Sequence, residues 1–163
     1  MERDMKAMLQ CLDNQRAHVV GTLDGLPEEG LHCAVLPSDW SSVGLVQHLA
    51  LDVERFWFRV VVAGEIAVED DGDSSESAWV VSPDTRAADV FDLYRKEIEL
   101  ANDIVANTAL DAEPRYWPEF FGDWRLPDLR AILLHVIAET ACHAGHLDAA
   151  RELIDGHTWL TLT

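Results

Sequence analysis

Basic residues are scarce in this chain of 163 residues. Only 12 Lys and Arg stand against 30 Asp and Glu, which gives a formal net charge of −18. A charge of this sign and size repels the phosphates of nucleic acids and the headgroups of anionic lipids. We therefore expect neither nucleic acid nor a membrane as a partner.

Cysteine and long apolar runs are also scarce. Cys11, Cys33 and Cys142 are an odd number without a CxxC pair, which argues against a disulfide framework and against a cysteine zinc knuckle. We expect reduced, mostly buried thiols, with Cys142 packed away from solvent. The most apolar stretch, FWFRVVVAG, is short and interrupted by Arg59, and the first residues contain no apolar leader segment. These features predict a soluble cytoplasmic protein.

Amphipathic segments with helical spacing make up most of the chain. Its length suits one domain over residues 1–163. The apolar periodicity and the turn residues predict four helices, at about 3–23, from Ser41 or Ser42 to Gly64, from Ser82 and Pro83 to 106, and from 127 to 154 before Gly156. We expect the first two to pack as an antiparallel hairpin. The acidic stretch between helices 2 and 3 predicts a long crossing loop. The expected fold is all-α, a four-helix bundle.

A polar stripe interrupts the apolar fourth helix in HVIAETACHAGHLD. Residues four apart lie on one face of a helix, so His135, Glu139 and His143 share that face. Glu139 and His143 can reach one point and together suit a divalent metal ion. A third ligand must come from another helix, and His48 in the apolar second helix is the best candidate. The alternative is that these are hydrogen-bonded core residues, and the spacing alone leaves both interpretations open.

Two common helical metal motifs do not fit. Val136 follows His135 where an HExxH motif requires glutamate. Cys142 stands three residues after Glu139 where a di-iron bundle requires histidine. A metal site on this helix would therefore be mononuclear.

Other candidate residues flank this stripe in the sequence. Asp52, one turn after His48, either orients that imidazole or is solvated. The aromatic connector before the fourth helix either covers the open end of the bundle, which we favour, or lines a pocket. Its aromatic residues include Trp117, Phe120, Phe121 and Trp124.

Three stretches resemble the DinB-like superfamily: GLVQHLALDVERFWF, VSPDTRAADVFDLYRKEIELAN and GDWRLPDLRAILLHVIAETACHAGHLDAARELIDG. The resemblance covers nearly the whole chain and is closer to an actinobacterial branch related to mycothiol-dependent maleylpyruvate isomerase. It implies a DinB/YfiT-like four-helix bundle, a homodimer and one divalent metal ion near one end. Carried over to this sequence, the ligands are His48, Glu139 and His143, with the glutamate as in the isomerases. His146 is a candidate fourth ligand or a residue that supports the ligands.

This resemblance also predicts a function. Three protein ligands leave one coordination position open, as in catalytic zinc sites. We expect zinc first, with nickel, iron or manganese as alternatives, activating a low-molecular-weight thiol such as mycothiol. The thiol would take part in S-transfer to a small electrophile or in its isomerisation. The alternatives are a metal-dependent hydrolase, with His146 or Asp52 as the free base, and a non-enzymatic bundle that binds a small ligand.

Overall fold

A computed structural model describes residues 2–66 and 78–159 of the chain. Every regular element in these two ranges is helical and none is a strand, which confirms the all-α class. The elements are α1 (Glu2–Leu23), α2 (Glu28–Leu31), α3 (Ser42–His48), a π-helix (Leu49–Val62) that continues α3, α4 (Ala87–Ala106), a 3₁₀ turn (Glu119–Phe121) and α5 (Leu129–Asp155). No helix within the described ranges is long and apolar enough to cross a bilayer.

Local residues set three helix ends, and two of them, at Ser41 and Gly156, were predicted. The Ser41 side chain accepts a hydrogen bond from the Gly44 N–H at 3.1 Å and so caps α3. Asp128 caps α5 in the same way, accepting from the Ala131 N–H at 2.8 Å. At the other end of α5, Gly156 takes the left-handed conformation with φ of 75°.

The start of α4 was predicted wrongly. Ser82 is the first residue of a turn and not the cap of the helix. Its carbonyl accepts a hydrogen bond from the Thr85 N–H at 2.9 Å. The helix begins at Ala87, whose N–H donates to the Glu28 carboxylate at 2.6 Å. This cap comes from α2, far away in the sequence, so nothing local to SPDT indicates it.

The pairing of the helices also differs from the expectation. The most extensive interfaces join α1 to α5 and the π-helix to α4, so the predicted hairpin of the first two long helices is wrong. The connection between these two helices contains α2 and several turns. It is long enough that the two helices need not pack against each other.

Buried charges connect the helices in the core. Arg16 on α1 donates to both Glu54 carboxylate oxygens at 2.7 and 2.6 Å, and these two residues are 4% and 1% exposed. Fully buried Glu97 on α4 accepts hydrogen bonds from Arg55 and Arg59 of the π-helix. Each of these charges is paired by an opposite charge, which is how a core tolerates ionised groups.

The predicted crossing loop lies mostly in residues 67–77, which are outside the described residues. Its last part returns to α3, where Gln47 donates from Nε2 to the carbonyls of Ala78 and Val80 at 2.9 and 3.2 Å. These two bonds bring Trp79 beside the C-terminal end of α3.

Candidate functional site

The imidazoles of His48 and His143 face each other across the interface between α3 and α5. Their ring centroids are 5.0 Å apart and the planes meet at 76°. His48 is the last residue of α3, immediately before the π-helix, and His143 lies in the middle of α5. The structure therefore brings together two of the residues that the sequence places in one site.

His48 is held on two sides. Its Nδ1 donates to the Asp52 carboxylate at 2.8 Å, although the Asp52 side chain is 52% exposed. The indole of Trp79 stacks on the other side, with centroids 4.1 Å apart and planes inclined by 19°. With Nδ1 bonded to a carboxylate, Nε2 is the nitrogen left for a ligand, an arrangement that is common around metal-binding histidines. Of the two roles considered for Asp52, the structure supports orientation of the imidazole.

Glu139 and His143 are neighbours on α5 but are not hydrogen-bonded. His143 Nε2 lies 3.7 Å from the Glu139 carboxylate, beyond hydrogen-bond distance. His143 Nδ1 is buried and no described group hydrogen-bonds to it. Burial lowers the pKa of His143, and the nearby His48 and His146 lower it further, against the opposing effect of Glu139. The ring is thus favoured in its neutral form, the form that binds metal ions.

His146 and Trp40 lie at the rim of this site. The His146 ring centroid is 5.6 Å from that of His143 and 6.3 Å from that of Trp40. His146 is exposed, so it borders the opening toward solvent. Neither Trp40 nor Trp79 was predicted from the sequence. Both tryptophans lie in connectors rich in polar or acidic residues, where an indole is unusual. That unusual position is the sequence feature from which they could have been predicted as site residues.

The described residues do not form a ready-made metal site. Within residues 2–66 and 78–159, no three His, Cys, Asp or Glu side chains converge in an arrangement that holds an ion. The donor set nevertheless suits a divalent cation, because two imidazoles from different helices and one carboxylate are adjacent. His143 Nε2 is the nitrogen on the side of Glu139, so an ion between these two residues would be bound through Nε2.

A second group of rings lies further along the same two helices. We call it the aromatic cluster: Phe56 and Trp57 of the π-helix, Trp117, Phe120, Phe121 and Trp124 of the connector, and His135 of α5. Trp57 is 5% exposed, and Trp117 and Phe121 pack against the core, as expected of residues that cover its end. Phe120 and Trp124, however, are 74% and 44% exposed. The connector therefore both covers the core and presents aromatic surface.

The expected burial of the cysteines is wrong. Cys11, Cys33 and Cys142 are all free and exposed. Cys142 lies on the same outward face of α5 as the exposed residues Ala138, Ala141 and Gly145, which explains its exposure. Its position beside His143 in sequence does not bring it to the imidazole pair.

Comparison with known proteins places this chain in a family. The family model described as mycothiol-S-transferase matches residues 7–156, nearly the whole chain, which confirms the resemblance to a mycothiol-related, DinB-like family. No curated protein and no solved structure shows a significant match.

Proposed function

The chain belongs to the mycothiol-S-transferase family, and from this premise we propose that it is a metal-dependent enzyme that joins a low-molecular-weight thiol to a small electrophile. The proposed ligands are His48, Glu139 and His143, with zinc as the first candidate metal. Isomerisation through a thiol adduct would use the same site. The four long helical segments support a DinB-type bundle as the scaffold, and a homodimer is part of the same proposal.

The observation that carries this proposal is the facing pair His48 and His143. An imidazole whose Nδ1 donates to a carboxylate, here Asp52 at 2.8 Å, has its tautomer and ring orientation set for binding through Nε2. The facing ring comes from another helix, is favoured in its neutral form and has a buried nitrogen without a hydrogen-bond partner. Its Nε2 lies on the side of Glu139, 3.7 Å from the carboxylate, and is available to the same ion.

Glu139 would complete the set by a small rotation. Its side chain is 41% exposed and has no hydrogen bond to another described residue, so it can turn toward the histidines without losing a partner. One carboxylate beside two neutral imidazoles also leaves one positive charge on a bound divalent ion, which would attract an anionic thiolate.

The bound metal ion would supply a positive charge that lowers the pKa of a thiol, so that the thiolate is present near neutral pH. Residues of the chain orient and shield the site. Asp52 holds the imidazole of His48, and the indole of Trp79 shields that ring from water on one side. In the transfer, a carbon–sulfur bond forms and the leaving group departs with its bonding electron pair. The thiol proton leaves through the rim, where His146 is exposed, and passes to water.

The experiment measures metal content and thiol transfer on the same protein. The full chain is purified without an affinity tag, and its metal is counted by plasma mass spectrometry. Disappearance of mycothiol is then followed with a small alkylating electrophile. We expect about one divalent ion per chain, and loss of both metal and transfer in the His48→Ala, Glu139→Ala and His143→Ala variants.

The matched control is His157→Ala, because His157 is exposed just beyond α5 and away from this site. It should retain both metal and transfer. Absence of metal in the wild-type protein, with no uptake of added zinc, would reject the proposal and favour a non-enzymatic ligand-binding bundle. Metal binding with hydrolysis of esters, but without any thiol dependence, would favour a hydrolase.

A further inference from the structure

The aromatic cluster and the histidine pair lie at two successive levels of one interface. This interface joins α5 to α3 and to the π-helix that continues α3. His48 faces His143 at one level, and Trp57, two turns further along the π-helix, contacts His135, two turns earlier on α5. The Trp57 and His135 ring centroids are 4.7 Å apart. The spacing from His135 to His143 corresponds to about 12 Å along α5. The two levels therefore lie on one strip along α5, with the half-exposed Glu139 between them, within the reach of a small organic molecule.

The rings of the cluster are arranged as a partly open stack. Trp57 and Phe121 are stacked with planes inclined by 19° and centroids 5.7 Å apart, while Trp124 meets Trp57 edge to face at 6.1 Å. Trp117 donates from its indole N–H to the Trp124 carbonyl at 3.0 Å and so fixes the chain around the ring of Trp124. The geometry leaves Trp124 held in place yet 44% exposed. A ring that is fixed but uncovered is suited to contact a further planar group.

His135 adds a polar group to this apolar surface. Its ring is half-buried against Trp57 and Trp124, with centroids 4.7 and 5.7 Å away. No hydrogen bond joins its ring to any group in the described part of the chain. Burial lowers the pKa of His135, with Glu139 opposing, so the neutral ring offers one donor and one acceptor nitrogen. An apolar surface with one unpaired polar group has a composition that is typical of small-molecule sites.

We propose that the aromatic cluster binds the electrophilic substrate and that this substrate is a planar aromatic compound. Its ring would pack against Trp124 and Phe120, the exposed rings of the cluster, and a polar substituent would hydrogen-bond to His135. The inference rests on the proposed function, which places the thiol at the histidine pair. The reactive carbon would then point along the strip toward that pair. With an aryl halide, the carbon–sulfur bond forms, the carbon–halogen bond breaks, halide leaves with the bonding electrons, and the thiol proton passes to water.

The kinetic test compares two electrophiles with mycothiol as the thiol, 1-chloro-2,4-dinitrobenzene and the aliphatic iodoacetamide. We expect Trp124→Ala to raise KM for the dinitrobenzene about tenfold, the size of a lost ring–ring contact with its buried area. His135→Gln should lower kcat/KM for the same compound severalfold. Both variants should keep kcat/KM for iodoacetamide within about twofold of wild type. Equal losses with both electrophiles, or no loss with either, would overturn the inference.

A binding test does not depend on turnover. Without thiol, 2,4-dinitroaniline, which has no halide to displace, is titrated into the metal-loaded protein by calorimetry. We expect binding that is about tenfold weaker in Trp124→Ala and weaker in Phe120→Ala, whose ring is 74% exposed and whose loss should not disturb folding. The control is Trp159→Ala, because Trp159 lies beyond the end of α5 and stacks on His18 of α1, outside the aromatic cluster.

The two tests separate this inference from the proposed function. Binding of dinitroaniline that depends on Trp124, together with no thiol transfer to any electrophile, would reject the transferase but keep the aromatic binding region. Thiol transfer to iodoacetamide, together with no binding of dinitroaniline or equal binding by Trp124→Ala, would reject the aromatic binding region but keep the transferase.

Discussion

Trp79 lies flat on the imidazole of His48, with ring centroids 4.1 Å apart and planes inclined by 19°. The contact joins the end of the long connector to the last residue of α3. It depends on a close approach of the backbones, because a Cβ atom on Gly44 would lie 2.3 Å from the Trp79 carbonyl oxygen. Position 44 therefore has no room for a side chain, because the Trp79 segment packs directly against it.

Substitution of Gly44 by alanine should push the Trp79 segment away from α3. We expect a loss of about 1–3 kcal/mol in the free energy of unfolding, the usual cost of overpacking. The His48 imidazole protons should also lose the upfield ring-current shift caused by the Trp79 indole, as measured by NMR. Gly145→Ala is the matched control, since a Cβ there meets no atom within 4 Å. An unchanged ring-current shift in Gly44→Ala would show that the segment accommodates the methyl group.

Asp52 should tune the proposed metal site through His48. In Asp52→Asn the amide cannot replace the carboxylate as a strong acceptor for Nδ1, so the imidazole loses its fixed tautomer and orientation. We expect zinc affinity to fall about 10–100-fold, as is typical when the carboxylate partner of a metal-binding histidine is removed. Competition with a chromogenic chelator measures this. Asp103→Asn, at an exposed position of α4, should bind zinc like the wild type. Equal affinities in all three proteins would contradict the role given to Asp52.

The Arg16–Glu54 pair should be essential to stability. Replacing Glu54 by Gln removes the buried carboxylate and leaves the buried Arg16 guanidinium with the half-exposed Asp13 as its remaining charged partner, so we expect a loss of about 3–5 kcal/mol in the free energy of unfolding by urea. The exposed pair of Asp92 and Arg95 provides the comparison, and Asp92→Asn should cost less than about 1 kcal/mol. A loss of similar size in both variants would mean that solvent reaches the Arg16–Glu54 pair.

The protonation of His135 should make the fold less stable in mild acid. Burial against the aromatic cluster lowers the pKa of His135, while Glu139 partly opposes this. The unfolded chain, with an ordinary histidine pKa of about 6.5, then binds more protons than the folded chain below that pH, so stability falls as pH falls through this region. In metal-free protein, His135→Phe should therefore lose less stability than wild type between about pH 7.5 and 5.5. Burial also lowers the pKa of His143, which contributes the same slope to both proteins. Parallel stability curves would indicate that His135 titrates normally.

The positions of several helix ends followed from the sequence because their causes are local. Ser41 and Gly156 act on the backbone within a few residues of themselves, and short-range capping rules apply to them. The start of α4 did not follow, because the carboxylate that caps Ala87 belongs to Glu28 on another helix. The outward position of Cys142 was missed for a similar reason: which face of α5 is covered depends on the neighbouring helices.

By itself the sequence determined the all-α class, the long helices and the polar stripe of Glu139 and His143, because helical periodicity is a property of consecutive residues. The apolar segment around His48 indicated that residue as their counterpart, and the resemblance to a family gave the same ligand. Only the tertiary structure decided that His48 faces His143 at 5.0 Å, that Trp79 stacks on His48, and that the aromatic cluster meets His135 on the same strip. These contacts join residues far apart in the chain, and they exist only because α3 and the π-helix pack against α5. Periodicity indicates which face of a helix is apolar. Which other helix covers that face depends on the packing of the whole core.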